Sequence, residues 1–404
     1  MNRIHVIGIS PGYPLADEAK ESLKRAKTVF ASRRLHDLLR EQEPSLLKGA
    51  KVRVINKVDT TLSSLKNTRT EAAVLASGDP LFFGIGKRIT EELGGRKVII
   101  YPALSSLQLA FAQAGLSWHD AFLVSLHGGQ KRQWAPADLP LLCERHEKLA
   151  ILTGGSNTPA SIAPHMPKGA RVWVAERLGY DDERIRKTTP ARLPRMNIME
   201  PNLLILESPE AKGQLPTVFG LGENEFKRTA ELITKDEVRA VVLHKLRLPI
   251  KGVLWDVGAG SGSVSIEARR LSPGLEVYAI EQDRERVKNI SDNALALKAG
   301  EMNVITGSAP SALKALPAPD RVFIGGSGAS LESVISESLR RIKRGGIMVV
   351  TAITLESMES AQKAFKKAGL RADVTQVSVS RLRKVGKASY LRPLNPVFII
   401  KVTA

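Results

Sequence analysis

The sequence has little cysteine, few aromatic residues and no long apolar run. A single cysteine, Cys143, excludes a disulfide within the chain and any metal site built from clustered cysteines, and we expect a buried, unreactive thiol. No apolar run reaches the roughly 18 to 20 residues that span a bilayer, and the opening residues are broken too early by Pro and Gly to form a signal peptide. We therefore expect a cytoplasmic protein with no membrane partner and no metal site.

Acidic residues are also scarce relative to basic ones. The chain has 41 Asp and Glu against 60 Lys and Arg, a formal net charge of +19 at pH 7. Because a field of one sign attracts molecules of the other sign, we expect an anionic partner. The basic residues form short clusters, including 340–344 and 381–384. Taken singly, each cluster is more typical of a solvated surface, so only their sum indicates a partner.

Length and composition predict two domains. A chain of 404 residues exceeds what one hydrophobic core usually organises. The segment ESPEAKGQLP, residues 207–216, is polar and contains Pro and Gly, as is typical of a linker. We expect domains at 1–208 and 217–404, joined by a linker at 209–216.

Short apolar strands alternate with amphipathic helices through the first half of the chain. This alternation predicts an α/β domain with a largely parallel sheet covered on both faces. The predicted strands are 4–9, 52–55, 73–76, 98–101, 122–125, 149–152, 171–175 and 203–206.

The second half repeats the alternation but ends differently. Its five strand-like runs are VLWDVG, EVYAIEQ, MNVITG, RVFIGG and IMVVTA. Two further runs, DVTQVSVSRL and NPVFIIKV, are joined by a loop too short for a crossover helix, so they should be antiparallel. This is the outline of a class I, Rossmann-like methyltransferase domain. Ahead of the first strand, Thr234 should cap a helix that begins at Lys235, with Glu237 completing a capping box.

A glycine-rich loop follows the first of these strands. The loop consists of Gly258, Ala259, Gly260, Ser261 and Gly262, and a helical pattern begins directly after it. Glycines allow a sharp turn and a close approach to a ligand, while a helix start offers unpaired N–H groups. A dinucleotide motif would place its third glycine one residue later, so the spacing fits S-adenosylmethionine better.

Polar residues near the neighbouring strand ends strengthen this prediction. Glu281 ends the second strand, about twenty residues beyond the loop, where an acid can accept both ribose hydroxyls. Asp256 either braces the loop or meets the ammonium group of the cofactor. After the third strand, Ala309 lies at the sheet edge beside the expected adenine site, while Ser308 would also suit a helix N-cap.

Methylation of RNA bases is the alternative that a basic methyltransferase raises. After the fourth strand, residues 323–328 (FIGGSG) are small where enzymes that methylate base amino groups carry an aromatic stacking residue. Methylation of cytosine C5 needs a cysteine nucleophile, and Cys143 lies outside the cofactor-binding half. We therefore expect no nucleic-acid partner and retain RNA methylation as the alternative.

Several longer motifs resemble the corrin methyltransferases of cobalamin biosynthesis. The second half resembles the decarboxylating, C15-methylating enzymes at GLGENEF (220–226), TKDEVRAV (234–241), DVGAGSGSVSIEA (256–268) and DRVFIGGSG (320–328). The first half resembles the C5-methylating branch of the tetrapyrrole methylase family at VIGISPG (6–12), SGDPLFFGIG (77–86), PALSSLQLAFAQAG (102–115), SLHGG (125–129), NTP (157–159) and ERLGYDDERI (176–185). The order of the two halves is similar to the precorrin-6Y C5,15-methyltransferase (decarboxylating) family or its cobalt-precorrin counterpart.

The resemblance implies a reaction and a partner. Precorrin-6B or cobalt-precorrin-6B would be methylated at C5 and C15 by S-adenosylmethionine, with loss of carbon dioxide from the C12 acetate. A polycarboxylate tetrapyrrole would be the anionic partner that the net charge calls for, and the family implies a homo-oligomer. Because a ring carbon attacks the methyl group, neither step demands a strong protein base, and we assign no catalytic residue.

The resemblance also implies site residues in both halves. In the second half it places Thr234, the glycine loop, Glu281 and Ala309 at S-adenosylmethionine. In the first half the residues matching that family's cofactor cleft are Pro11, Gly12, Gly78, Asp79, Pro80, Ser105 and Ser106. The alternatives there are a plain turn at Gly78–Pro80 and a helix cap by Ser105. His127 would either touch a substrate carboxylate or serve as a structural hydrogen-bonding residue.

Overall fold

A computed structural model describes residues 3–94, 97–127, 134–209, 217–229, 233–325, 331–386 and 388–404. Contacts between residues divide the chain into two compact units, Met1–Pro136 with His146–Lys212 and Ala137–Arg145 with Gly213–Ala404. The predicted linker at 209–216 lies outside the described residues from position 210 onward. No helix among the described residues is both long and apolar enough to cross a membrane.

The α-helices and β-strands follow one another in alternation through most of the chain. In chain order up to residue 207 they are β1 (Ile4–Ile9), α1 (Asp17–Arg25), β2 (Thr28–Ala31), α2 (Arg33–Gln42), β3 (Lys51–Val54), α3 (Val58–Lys66), β4 (Ala72–Ser77), α4 (Gly86–Leu93), β5 (Val98–Tyr101), α5 (Ser106–Ala114), β6 (Phe122–Ser125), α6 (Leu139–Arg145), β7 (Lys148–Leu152), α7 (Pro159–Ile162), β8 (Arg171–Glu176), β9 (Arg184–Thr188) and β10 (Asn202–Glu207). Beyond it they are α8 (Asp236–Leu246), β11 (Lys251–Val257), α9 (Ser263–Leu271), β12 (Gly274–Glu281), α10 (Arg284–Ala296), β13 (Asn303–Thr306), β14 (Arg321–Ile324), α11 (Leu331–Arg341), β15 (Ile347–Ala352), α12 (Leu355–Lys367), β16 (Asp373–Val377), β17 (Ser380–Val385), β18 (Ala388–Pro393) and β19 (Val397–Thr403).

The first unit contains two sheets where the sequence predicted one. The first sheet, in the order β3-β2-β4-β1-β5, is parallel throughout, as expected. Its central strands β1 and β4 are buried along almost their whole length because both faces of the sheet are covered there: Val6 belongs to one core cluster and Ile7 to another.

The second sheet of the first unit corrects the prediction of a largely parallel arrangement. Its order is β6-β7-β10-β8-β9, and only the β6–β7 pair is parallel. The connection from β8 to β9 is too short for a crossover helix, so these strands form an antiparallel pair. Sequence analysis missed β9 because its basic residues (RIRKT) hide the apolar alternation, and it also missed the short strand β2.

The second unit is built on a seven-stranded sheet in the order β13-β12-β11-β14-β15-β19-β16. The five predicted strands β11 to β15 run parallel, and β19 runs antiparallel to both β15 and β16, which confirms the class I outline. Leu254 and Trp255 are fully buried in different core clusters, since successive side chains point to opposite faces.

Three details of the second unit differ from the sequence prediction. The expected loop between the last two strands contains a separate two-stranded sheet, β17–β18. Helix α8 begins at Asp236 with Lys235 as its N-cap and no side-chain cap, so Thr234 and Glu237 form no capping box. Helix α6 precedes β7 in the chain but belongs to this unit. Glu144 of the helix pairs with Arg270 at 3.2 Å, and Asp138, just before the helix, pairs with Arg269 at 2.6 Å.

Candidate functional site

A cavity of about 900 Å³ lies at the carboxyl ends of the parallel strands in the second unit. This is the edge at which open α/β sheets bind their ligands. The predicted residues that line it are Thr234, Gly258, Ala259, Gly260, Ser261, Glu281 and Ala309. The structure therefore brings together seven residues that are spread over a long stretch of sequence, while their contact with a cofactor stays a prediction.

The glycine loop turns away from β11 with a left-handed backbone at Gly258 (φ 75°) and Gly260 (φ 59°). The N–H groups of Gly258 and Ala259 both donate to the carbonyl of Ile280, at 2.9 and 3.0 Å. These bonds tie the loop to the end of β12, so the wall of the cavity is held by backbone geometry that favours glycine.

Gly262 is not among the residues that line the cavity, although Ser261 and Ser263 on either side of it are, and its contact with a cofactor stays a prediction. It is the N-cap of α9 with φ 79°, and a Cβ placed there would lie 3.0 Å from Cγ2 of Ile290. Gly262 therefore serves the close packing of α9 against the side chain of Ile290, behind the wall that the ligand would meet.

Glu281 is 4% exposed and organises the cavity wall through its carboxylate. One oxygen, Oε2, accepts the N–H of Gly260 at 2.9 Å, and Oε1 accepts the N–H groups of Gln282 and Asp283 at 3.0 and 3.1 Å. A carboxylate has about four lone-pair directions, so the side chain can accept further hydrogen bonds from a ligand.

Asp256 braces the start of α9. It is 1% exposed, and its Oδ2 accepts the N–H of Ser265 at 3.1 Å and the Ser265 hydroxyl at 2.6 Å. Burial raises the pKa of Asp256 to about 6, against the lowering effect of the hydrogen bonds from Ser265. Of the two roles left open by the sequence, this geometry favours the bracing one, and Asp256 is absent from the cavity lining.

The loop after β13 completes one side of the cavity. Gly307, Ser308 and Ala309 line it, and the N–H of Gly307 donates to the carbonyl of Glu281 at 2.9 Å. Ser308 caps no α-helix: the short 3-10 turn Ser311–Ala315 that follows has Pro310 at its N-cap.

Further residues that line the cavity were not predicted from the sequence. They come from α10, from the end of β15 and the residue after it, and from the end of β18 with the two residues that follow; they are Arg286, Thr351, Ile353, Arg392, Pro393, Leu394 and Asn395. The basic cluster at 381–384 was the signal that could have drawn attention to this part of the chain, but nothing in the sequence placed it beside the glycine loop.

The residues of this cavity fit S-adenosylmethionine. Glu281 suits ribose hydroxyls, and Val257, Ile280 and Ala309 offer apolar surface for an adenine ring. The buried hydroxyl of Ser261 has no hydrogen-bond partner among the described residues, so a polar ligand group would satisfy it.

The predicted site residues of the first unit separate over two cavities. Asp79, Ser105 and Ser106 line one of about 580 Å³. Pro11, Gly78 and Ser106 line a smaller one of about 90 Å³. Both alternatives to a ligand role hold as local structure: Gly78 has φ 61°, and Ser105 caps α5 in a capping box with Gln108.

Gly12 and Pro80 line neither of these two cavities, and their contact with a cofactor stays a prediction. Gly12 has φ 72°, and a Cβ there would lie 2.6 Å from the carbonyl oxygen of Gly179. The carbonyl of Pro80 accepts the N–H of Gly86 at 3.0 Å. Both residues therefore shape the loops around the cavities from behind.

His127 and Trp134 line the larger cavity of the first unit. The His127 ring lies against the backbone of Gly154, where a Cβ would approach Nδ1 to 2.2 Å. The arrangement leaves the ring no alternative position on that side. Residues 128–133, which carry the end of the SLHGG motif, lie outside the described residues.

Two family models match the chain, one in each half. The model described as tetrapyrrole (corrin/porphyrin) methylases matches residues 3–194, and the model described as precorrin methyltransferase domain matches residues 225–404. The chain is 32% identical to precorrin-6Y C(5,15)-methyltransferase (decarboxylating) of a Sinorhizobium species over 394 residues, 95% of this chain and 91% of the relative.

Shorter relatives match part of the chain. Probable cobalt-precorrin-6B C(15)-methyltransferase (decarboxylating) of Pyrobaculum calidifontis is 40% identical over 188 residues, 46% of this chain and 96% of the relative. A crystal structure of precorrin-6y C5,15-methyltransferase from Geobacter metallireducens is 40% identical, with a TM-score of 0.45, 47% of this chain covered and 100% of that chain. The relatives from Sinorhizobium and Pyrobaculum calidifontis give the alternative of RNA methylation no support.

Proposed function

Because the chain belongs to the precorrin-6Y C(5,15)-methyltransferase (decarboxylating) family, we propose that its two units methylate one polycarboxylate tetrapyrrole at C5 and C15 and release its C12 acetate carboxyl as carbon dioxide. Precorrin-6B or its cobalt form is the proposed substrate. The first unit would methylate C5, and the second would methylate C15 and decarboxylate. The excess of basic residues supports an anionic substrate of this kind.

S-adenosylmethionine, when bound, supplies an electrophilic methyl group to a ring carbon. In the second unit Glu281 would hold the ribose, and the loop from Gly258 to Ser261 would face the amino acid end. The loop is already fixed by its hydrogen bonds to Ile280 and Glu281, so little ordering remains to oppose binding.

Because the nucleophile is a carbon of the ring, the task of the chain's own residues is to align that carbon with the methyl group and to shield both from water. Loss of carbon dioxide breaks the bond between the carboxyl and the acetate methylene and leaves the electron pair to the conjugated ring, which a proton later quenches. The apolar side chains of Val257, Ile280 and Ile353 in the cavity lining would help to align the ring and to exclude water from both steps.

In the first unit, the larger cavity is the proposed place of C5 methylation. Asp79, Ser105 and Ser106 line it together with His127. We propose that His127 meets a substrate carboxylate there, because its exposed ring belongs to the lining and lies against the backbone of Gly154. The family resemblance further supports a homo-oligomer in the cytoplasm without a nucleic-acid partner, and light scattering of the purified protein would measure its mass.

One observation carries the proposal: the glycine loop and Glu281 form one wall of a single cavity at the carboxyl edge of the second sheet. Calorimetry should count two S-adenosylhomocysteine molecules per chain. Mass spectrometry after incubation with precorrin-6B and S-adenosylmethionine should show the gain of two methyl groups and the loss of one carbon dioxide. An unchanged substrate mass despite bound cofactor product would overturn the proposal, and repeating the assay with cobalt-precorrin-6B would decide which ring form is used.

A further inference from the structure

The strands β17 and β18 form a hairpin that pairs with no other strand among the described residues. Arg381 is half-buried and every other described residue of the two strands is exposed. Leu382, Tyr390 and Leu391 are 64%, 47% and 65% exposed. A two-stranded hairpin that stands alone in water is marginally stable, so a binding partner for it is expected. Leu382 and Leu391 pair with each other and lie on the face opposite to Tyr390.

The base of the hairpin is fixed next to the cofactor cavity. Arg381 donates to both oxygens of Glu237 at 3.0 and 2.6 Å and lies 2.7 Å from Glu223. At the end of the other strand, Arg392 lines the cavity, and Leu394 continues the lining toward β19. The hairpin is thus anchored at its foot while its outer part extends away from the cavity.

One face of the hairpin continues the cavity wall. Arg381 pairs with Arg392 across the strands, and Arg383 pairs with Tyr390. Because side chains alternate along a strand, these four residues share a face. Arg392 of this face lines the cavity, as does Pro393 of the opposite face. Arg383 and Tyr390 follow Arg392 on its own face, farther from the base of the hairpin.

The charge on this face is unbalanced. Residues 374–404 contain neither Asp nor Glu. Arg381 has its two carboxylates, but Arg383 and Arg392 form no ion pair within the described part of the chain. Two guanidinium groups beside an exposed aromatic ring are suited to a flat ligand with carboxylates on its rim, since arginine binds carboxylates in a fork and stacks on rings.

We propose that Arg383, Tyr390 and Arg392 form the outer substrate site of the second unit, binding rim carboxylates of the tetrapyrrole and covering one face of its ring. The inference rests on the proposed function, because it needs a polycarboxylate macrocycle over the cofactor cavity. Of the 381–384 cluster it assigns Arg383 to recognition of that substrate, while Arg381 fixes the base of the hairpin to Glu237 and Glu223.

The test compares two double variants with the same loss of charge. R383Q/R392Q removes the two unpaired guanidinium groups, and K366Q/K367Q removes two exposed lysines from the end of α12. Uroporphyrin III, which carries eight carboxylates, serves as the probe, and its binding is followed by fluorescence in the presence of S-adenosylhomocysteine. At saturating S-adenosylhomocysteine, we expect R383Q/R392Q to lose about tenfold or more in porphyrin affinity. The single variant R383Q, at a residue outside the cofactor cavity, should weaken porphyrin binding with twofold or less change in S-adenosylhomocysteine affinity. The lysine variant should match the wild type in both.

Other outcomes separate the two proposals. Unchanged porphyrin affinity in a folded R383Q/R392Q protein would overturn the hairpin site while leaving the methyltransferase function intact. Failure of the wild type to bind porphyrin and to alter precorrin-6B would overturn the function itself. If R383Q/R392Q keeps its porphyrin affinity but changes mass in light scattering, the face is an interface between copies and the proposal is rejected. Y390L provides a variant without charge change, and we expect weaker porphyrin binding from it as well.

Discussion

Arg239 and Glu267 form an ion pair of 2.6 Å in which each side chain is 1% exposed. The second oxygen of Glu267 accepts the N–H groups of Gly220 and Leu221, both at 2.7 Å. Arg239 in turn donates to the carbonyls of Leu221 and Thr234. The pair therefore joins α8 and α9 to the two segments ahead of α8, one of which contributes Thr234 to the cofactor cavity.

Removal of Glu267 should destabilise the second unit strongly. In Glu267→Ala, Arg239 stays buried without its carboxylate and two backbone N–H groups lose their acceptor, so we expect a loss of about 3–5 kcal/mol. Urea denaturation would measure this loss, with hydrogen exchange in peptides of the second unit as the readout. The matched control is Glu276→Ala, an exposed residue of β12, for which we expect a change within about 0.5 kcal/mol. A loss below about 1 kcal/mol for Glu267→Ala would contradict the assigned role.

Replacement of Glu281 should weaken cofactor binding. In Glu281→Ala the loop loses the acceptor of the Gly260 N–H, and the ribose loses its proposed partner, so we expect affinity for S-adenosylhomocysteine at the second unit to fall about 100-fold. Calorimetry should then count one molecule per chain in place of two. Glu276→Ala again serves as the control, and a stoichiometry that stays at two with unchanged affinity would disprove the contact.

Asp256 should make the stability of the second unit depend on pH. The pKa of Asp256 in the folded protein, about 6, lies above the ordinary value of 3.8. Its contribution to the free energy of unfolding is therefore complete below about pH 4 and is lost as pH rises through 6. Two units of pKa correspond to about 3 kcal/mol. The free energies of unfolding of Asp256→Asn and wild type should therefore diverge by about that amount between pH 4 and pH 7.5, in favour of Asn at the higher pH. A difference that stays constant in urea titrations across this range would show that Asp256 titrates normally.

The parts of the fold that depend on local pattern could be predicted from the sequence. Strands β11 to β15 are long apolar runs with turn residues between them, and the glycine loop has to follow β11 because the motif and the strand are contiguous. The second sheet of the first unit could not be predicted, since β10 inserts between β7 and β8 and nothing local specifies that pairing. Arg392 was missed for the same reason: its place in the cavity depends on a sheet that closes far along the chain from Gly258.

The same limit applies to glycines. The spacing predicts Gly258, Gly260 and Gly262 as one motif, but only the packing of Ile290 shows that Gly262 faces a neighbouring helix and not the cavity. A positive φ can be inferred from such a motif, whereas the direction in which a missing Cβ would point cannot.

Gly262 and Gly345 offer a matched pair for separating these effects. Both have a left-handed backbone, with φ 79° and 77°, but a Cβ at Gly345 would meet nothing within 4 Å. Gly345→Ala should lower the free energy of unfolding by about 1 kcal/mol because of the backbone conformation. Gly262→Ala should lower it by about 1–3 kcal/mol more, because α9 must shift from Ile290. Thermal denaturation of the two variants would measure the difference. Equal losses would indicate that the Ile290 contact yields without strain.

Gly154 and Gly155 provide a similar pair in the first unit, with a functional readout. A Cβ at Gly154 would overlap the ring of His127, whereas one at Gly155 would meet nothing within 4 Å. Gly154→Ala must therefore displace His127 from its place in the larger cavity, and Gly155→Ala, at φ 62°, changes backbone strain without touching the ring.

If His127 meets a substrate carboxylate during C5 methylation, Gly154→Ala should slow addition of that methyl group at least tenfold and leave C15 methylation and decarboxylation in place. His127→Ala should reproduce this loss, and Gly155→Ala should retain both methylations. The product masses distinguish the cases, because C5 methylation alone would then be missing; full double methylation by Gly154→Ala and His127→Ala would remove His127 from the site.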